Sequence, residues 1–235
     1  DFPDQQTRLA VLYSLSDPIA QLLCRTYGEE AFAIAEAFYA QDKHETAIRV
    51  NPLRTGDAEL TDLLTQEGCT VTPGPWPHCL LVQFAGSPAA TKAFSRGLYH
   101  VQGLAPQFAA DCVQARPGQR VLDLCAAPGG KSLTLAEAME NRGELVSCDA
   151  VQGRLPLIEN AFARCGVTCG RVLANDASRP NDSLGTFDRI LCDVPCSGLG
   201  VIGKKPDVRY KTLEGLQSLV TLQAKILETA AGYLA

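Results

Sequence analysis

The spacing of apolar and polar positions changes character twice along the chain. Before residue 46 it is helical. Ser16-Asp17-Pro18 reads as an N-cap followed by a first-turn proline, and Gly28 closes that helix. Glu29–Ala40 continues as a second helix with Phe32, Ala35, Phe38 and Tyr39 on its apolar face. From 46 to 102 short β-like runs take over. Strands are predicted at Ala47–Val50, Cys69–Thr72, Cys79–Phe84 and Gly97–Val101. A helix over Asp57–Glu67 ends at Gly68, the turn Pro73-Gly74-Pro75-Trp76-Pro77 joins two strands, and Ser87-Pro88 opens another helix. Beyond 103 the strands become continuously apolar: Arg120–Cys125, Glu144–Cys148, Arg171–Leu173 and Arg189–Cys192. Helices over Lys131–Glu140 and Gly153–Cys165 separate them, and a last helix spans Leu213–Leu234.

Strands apolar on both faces and spaced by helices indicate a parallel, doubly wound α/β sheet, which binds ligands at the carboxyl ends of its strands. The middle segment has the order β-α-β-β-α-β of ferredoxin-like and RNA-recognition-type modules. It lacks a Gly-Phe-Gly-Phe-type strand for stacking bases, which leaves a purely structural role open. The expected organisation is therefore a helical region at 1–45, an α+β subdomain of RNA-binding type at 46–102 and a Rossmann-like core at 103–235.

Charge alters this picture in one respect. The chain of 235 residues carries a formal net charge of −5. Residues 1–100 hold 7 basic and 12 acidic side chains, whereas residues 101–235 hold 14 of each. Any nucleic-acid contact must come from a local patch. No apolar run approaches a membrane span, so a soluble, cytoplasmic protein is expected. The 10 cysteines include no Cys-x-x-Cys, and the Cys-x3-Cys pairs lack nearby histidines, so no metal is expected. Most lie in apolar stretches where a thiol packs as a small hydrophobe.

The first strand of the core runs into Asp123-Leu124-Cys125-Ala126-Ala127-Pro128-Gly129-Gly130-Lys131-Ser132. Paired glycines let a ligand approach the backbone, and the following helix offers unpaired N–H donors. The dinucleotide pattern Gly-x-Gly-x-x-Gly is absent. A P-loop would match Gly130-Lys131-Ser132 but has Cys125 where its first glycine belongs, although Arg189–Asp193 resembles a Walker B strand and keeps a P-loop ATPase as the rival. S-adenosylmethionine, a cation bearing an amino acid, a ribose and an adenine, fits better, since it calls for carboxylates at successive strand ends. Asp149 is expected to accept the ribose hydroxyls, Asp176 the adenine amine, and Asp193 to lie near the transferred methyl.

Asp193-Val194-Pro195-Cys196-Ser197-Gly198 follows the fourth core strand. On residue chemistry alone, Cys196 is the thiolate that methylation at carbon 5 of a pyrimidine requires, because carbon 5 becomes nucleophilic only after a thiolate adds to carbon 6. Lys204, Lys205, Arg209 and Lys211 against Asp207 make a local +3, a candidate phosphate patch. A non-catalytic RNA-binding module is the rival outside enzymology.

With these residues in view, the chain resembles the Sun/Fmu-type (NOL/NOP/Sun) RNA cytosine-C5 methyltransferases, and most nearly the bacterial small-subunit methyltransferase B group. The resemblance rests on 123–132, on Asp193-x-Pro195-Cys196-Ser197, on Gly200-Val201-Ile202 through Pro206-Asp207 and on Arg49-Val50-Asn51. It implies that Cys125, Ala126, Ala127, Pro128, Gly129, Gly130, Lys131, Asp149, Asp176 and Asp193 contact S-adenosyl-L-methionine, and that the substrate is a cytosine in RNA, foremost 16S rRNA. It also implies two cysteines. One, in a Thr-Cys motif after a fifth strand, attacks carbon 6; the Pro-Cys one, here Cys196, assists product release. The expected fifth strand falls where Gly232-Tyr233-Leu234-Ala235 ends the sequence, so the resemblance implies a fragment, incomplete at its C-terminus and starting after an RNA-binding domain, with an unpaired apolar edge on its fourth strand and no activity alone.

Overall fold

Three short helices open the computed structural model, which describes residues 1–39 and 45–235. These are α1 (Gln5–Leu12), α2 (Asp17–Tyr27) and α3 (Glu30–Ala37). Asp4 caps α1 by accepting from the Thr7 N–H at 2.7 Å. Pro18 occupies the first turn of α2 and Gly28 ends it at φ 54°, where a residue without a Cβ is unstrained. The end of the expected second helix, Ala40, lies outside the described residues.

The middle segment follows as β1 (Thr46–Val50), α4 (Asp57–Gln66), β2 (Thr70–Pro73), β3 (Cys79–Gln83), α5 (Lys92–Ser95) and β4 (Tyr99–Val101). Its sheet has order β2-β3-β1-β4 and is antiparallel throughout, with Ile48 opposite Leu80 and Val101. The helix expected from Ser87-Pro88 is a single 3₁₀ turn at Pro88–Ala90. The α-helix starts only at Lys92, where the Thr91 hydroxyl accepts from the Phe94 N–H at 3.1 Å. One sheet face, with Ile48, Val50, Leu80, Val82 and Tyr99, packs on α4 residues Leu60 and Leu64.

The remaining elements are α6 (Leu104–Asp111), β5 (Arg120–Asp123), α7 (Gly130–Ala138), β6 (Glu144–Asp149), α8 (Leu155–Cys165), β7 (Gly170–Ala174), β8 (Arg189–Leu191) and α9 (Leu216–Ala231). The periodicity over 103–119 did not announce α6. The parallel sheet has order β7-β6-β5-β8. Alternate residues of each strand feed opposite cores. Val121, Leu145 and Leu191 pack with Leu133, Met139, Ile158 and Phe162 of α7 and α8, whereas Leu122, Val146 and Cys148 pack with Ile226 and Ala230 of α9. That two-sided burial is why these strands read as uninterrupted apolar runs. Beside Phe187, just ahead of β8, the chain's last residues begin a parallel pairing: the Phe187 N–H donates to the Tyr233 carbonyl (2.8 Å) and the Ala235 N–H to that of Phe187 (3.0 Å).

Two compact units result. One comprises Asp1–Lys43 with Pro195–Thr221, the other His44–Val194 with Leu222–Ala235. Residues 195–221, contiguous in sequence with the core, thus group with the N-terminal helices. Both sheets belong to the second unit, where Arg49 and Asn51 tie them together. Arg49 Nε donates to Glu137 of α7 at 3.2 Å and its Nη1 to Asp111 at 2.9 Å. The buried Asn51 amide donates to the Gly97 and Cys165 carbonyls, both at 2.8 Å. The sheet face that displays stacking aromatics in an RNA-recognition module here carries Arg49 and His100, both buried against Glu137.

Candidate cofactor site and Pro-Cys segment

In the larger unit β5 ends at Asp123 instead of continuing to Cys125, and the chain turns through 124–129 into α7. Gly129 takes φ 108° in that turn, a conformation costly for any side chain. Asp123 is 1% exposed. One of its oxygens accepts from Ser132 Oγ at 2.7 Å, and Ser132 in turn accepts from Ser147 Oγ at 2.9 Å. The other oxygen, Oδ1, has no partner. Burial pushes this carboxyl up to about 6, against the pull of the Ser132 hydroxyl and Lys131.

A cleft of about 230 Å³ opens at the carboxyl ends of β5 and β8. Cys125, Ala126, Ala127, Pro128, Gly130, Lys131 and Asp193 line it, together with Asp123. Lys131 Nζ donates to Asp193 at 2.5 Å. Of the other residues singled out from the sequence, Gly129 shapes the turn without lining the cleft. Asp149 holds the turn from behind: its carboxylate accepts from the N–H groups of Ala127 (3.3 Å) and Val151 (2.9 Å) and faces Arg154 at 3.4 Å. Asp176 lies beyond β7 and engages its own loop, accepting from the Ser178 N–H and hydroxyl, which hold its carboxyl below the ordinary value. A cavity of about 490 Å³ beside Ser178, Lys225 and Tyr233 is lined by none of these residues.

The same cleft is lined by Val101, Gln102, Gly103 and Pro106, which sequence reasoning did not select. They come from the end of β4 and the start of α6, outside the turn motif. The pattern over 103–119 predicts no helix, so no local signal marks them.

In the smaller unit Ile202 and Val208 are buried among Leu9, Leu15, Ile19 and Ala35 of the N-terminal helices. The Ser16 N–H donates to the Arg209 carbonyl at 2.8 Å, and Ser16 Oγ to that of Lys211 at 2.9 Å. Cys196 is exposed. Of the four basic residues, Lys204 and Lys205 are exposed, Arg209 stacks on Tyr39 (4.2 Å to the ring centroid), and Lys211 donates to the Ser197 carbonyl at 3.0 Å. By contrast, burial raises the thiols of Cys125 and Cys148 to about 12 and those of Cys165 and Cys192 to about 11, which suits packing and opposes nucleophilic use. Thr168-Cys169 precedes β7, at the amino ends of the strands and so at the opposite end of the sheet from the cleft. Among the described residues no group of three His, Cys, Asp or Glu side chains could share a metal ion, and no helix is long and apolar enough to cross a membrane.

Comparison with known proteins bears on this geometry. Residues 110–234 match the family described as 16S rRNA methyltransferase RsmB/F. A probable ribosomal RNA small subunit methyltransferase B from Bacillus subtilis is 33% identical over 233 residues, covering 93% of this chain and 52% of its own length. A 28S rRNA (cytosine-C(5))-methyltransferase from Mus musculus is 32% identical, covering 96% of this chain and 29% of its own. The chain therefore spans about half or less of these relatives. A solved methyltransferase homologue from Pyrococcus horikoshii superposes with a TM-score of 0.84 at 26% identity, over 100% of this chain and 74% of that one.

Proposed function

We propose that this chain, which belongs to the 16S rRNA methyltransferase RsmB/F family, forms the S-adenosylmethionine-binding part of an enzyme that methylates carbon 5 of a cytosine in ribosomal RNA, foremost 16S rRNA. The observation that carries the reading is the convergence of Cys125, Ala126, Ala127, Pro128, Gly130, Lys131 and Asp193 on one cleft that is also lined by Asp123, one of whose buried carboxylate oxygens has no partner. An acceptor in that position suits a ligand with a cationic end. The P-loop alternative is disfavoured, because Cys125 stands where a phosphate nest needs glycine and Lys131 is committed to Asp193.

When bound, S-adenosylmethionine supplies an electrophilic methyl group on a sulfonium. The chain's own residues bind and orient. Asp123 lines the cleft and keeps one buried oxygen without a partner. Asp149 keeps the turn in place through the Ala127 N–H and is assigned the ribose, and Asp176 the adenine amine. Asp193 sits at the β8 end, where its pairing with Lys131 keeps a carboxylate beside the transfer site. Covalent addition of a thiolate to cytosine carbon 6 makes carbon 5 nucleophilic; after methylation the carbon-5 proton leaves to a base and the carbon–sulfur bond breaks. We assign Cys196 to that release step, with Lys204 and Lys205 as phosphate contacts. The chain's buried thiols are poor attackers and Cys169 lies at the wrong end of the sheet, so these 235 residues alone are expected not to turn over.

Calorimetry tests the cofactor reading: S-adenosylhomocysteine is expected to bind and ATP-Mg not to, and the reverse would refute it. Turnover of ribosomal RNA by this chain alone, abolished by Cys196→Ala, would make Cys196 the attacking nucleophile instead.

A further inference from the structure

We propose that the N-terminal helices position Cys196, through a relay that runs from Ser16 to Lys211 to the carbonyl of Ser197. What the positioned thiol does rests on the release step assigned above; the relay itself does not. Ser16 stands at the N-cap of α2 in extended backbone, at φ −63° and ψ 149°, yet its hydroxyl makes no capping bond to α2. That hydroxyl donates to the Lys211 carbonyl at 2.9 Å, and the Ser16 N–H donates to the Arg209 carbonyl at 2.8 Å. Both acceptors are carbonyls, so the direction of both bonds is fixed. Lys211 then donates from Nζ to the carbonyl of Ser197 at 3.0 Å, one residue after Cys196.

A serine at an N-cap ordinarily accepts from an N–H of the first helical turn. Here α2 forgoes that bond and opens on Asp17 and Pro18 instead, which leaves the hydroxyl to the distant segment. Apolar packing runs beside the relay. Ile202 and Val208 are buried among residues of α1, α2 and α3, and Leu199, three residues beyond Cys196, packs against the same cluster. The segment also closes on itself, with the Leu199 N–H donating to Ser197 Oγ at 3.4 Å and the Val201 N–H to the Gly198 carbonyl at 3.1 Å. Apolar contact is non-directional and sets how deep the segment sits; the directional bonds set its register. Ser16 and Lys211 are therefore positioning residues, acting on Cys196 through the backbone of its neighbour.

Amide hydrogen exchange on the full chain, with iodoacetamide labelling of the same samples, tests the relay. Ser16→Ala is expected to speed exchange at Leu199 and Val201 by about two- to tenfold, as loss of one hydrogen bond predicts. The labelling rate of Cys196 is expected to depart from wild type by about threefold or more, with the exposed Cys112 as internal standard. Ser16→Thr, which keeps the donor, is expected to restore both. Ser16→Asp separates the relay from capping: aspartate caps a helix as well as serine does but has no proton to give a carbonyl, so it is expected to behave as Ser16→Ala does. Lys211→Met is expected to reproduce these changes and Lys211→Arg to reverse them in part. Rescue by Ser16→Asp would make Ser16 a helix cap. Unchanged exchange and labelling in Ser16→Ala and Lys211→Met would leave the segment held by packing alone, and equal acceleration throughout α1, α2 and α3 would mean general loosening. Any of these three results would overturn the proposal. None of the measurements involves RNA or turnover, so the release role of Cys196 fails separately, by the turnover test given above.

Discussion

Lys131 Nζ stands 2.5 Å from Oδ2 of Asp193, joining the first turn of α7 to the end of β8 across the mouth of the cleft. The Asp193 side chain is 54% exposed, so solvent screens the pair. Lys131→Met is expected to change folding stability by less than about 1 kcal/mol in urea denaturation, as exposed ion pairs do.

Asp123 is expected to make ligand binding depend on pH. Its carboxyl titrates near 6 in the folded chain because burial opposes its charge. An ammonium partner needs that charge, so S-adenosylhomocysteine affinity is expected to rise as pH increases through about 6. Asp123→Asn is expected to flatten the profile and lower the plateau. A wild-type affinity constant between pH 5 and 7 would contradict this.

Glu137 makes stability depend on pH with the opposite benefit. Burial lifts its carboxyl to about 8 although Arg49 lies beside it. A carboxyl raised in the folded state binds its proton more tightly there than in the unfolded chain. Its contribution is therefore greatest below the unfolded value and is lost as pH rises toward 8. Urea midpoints are expected to fall across that window in the wild type and to fall less in Glu137→Gln.

Asn51 donates to the carbonyls of Gly97 and Cys165, the second of which also accepts from Arg54 Nε at 3.0 Å. Asn51→Ala leaves the Gly97 carbonyl without its donor while Arg54 still serves that of Cys165, and is expected to cost about 1–3 kcal/mol, the cost of one unsatisfied buried group. Gly97→Ala is expected to destabilise at least as much, since its Cβ would stand 1.9 Å from the Arg164 carbonyl oxygen at φ +68°. Thermal denaturation reads both.

The exposed thiols are Cys112 and Cys196. Iodoacetamide at neutral pH, followed by peptide mass mapping, is expected to modify these two first and to spare Cys148 and Cys165, whose burial holds them as thiols. Early labelling of Cys148 would contradict the packing of β6.

Much of this was legible in the residues. The apolar runs of β5, β6 and β8 announced a parallel sheet because both of their faces are buried, and the glycine-rich turn after Asp123 announced a ligand at its carboxyl end because glycine spacing and strand ends are local properties. Other features depended on long-range contact and were not legible. Nothing local marks Gln102 as lining the cleft; it arrives there because Arg49 and Asn51 dock one sheet on the other, 28 residues before the α7 turn in sequence. Arg209 reads as one of four equivalent charges in its segment, yet stacking on Tyr39 separates it from Lys204 and Lys205. The division of the chain is likewise tertiary, since residues 195–221 follow the core in order but bury Ile202 and Val208 among the N-terminal helices. Periodicity, turn chemistry and motif spacing act over a few residues and belong to the sequence alone. Which distant polar group is left without a partner is decided only when the folded chain has satisfied all the others.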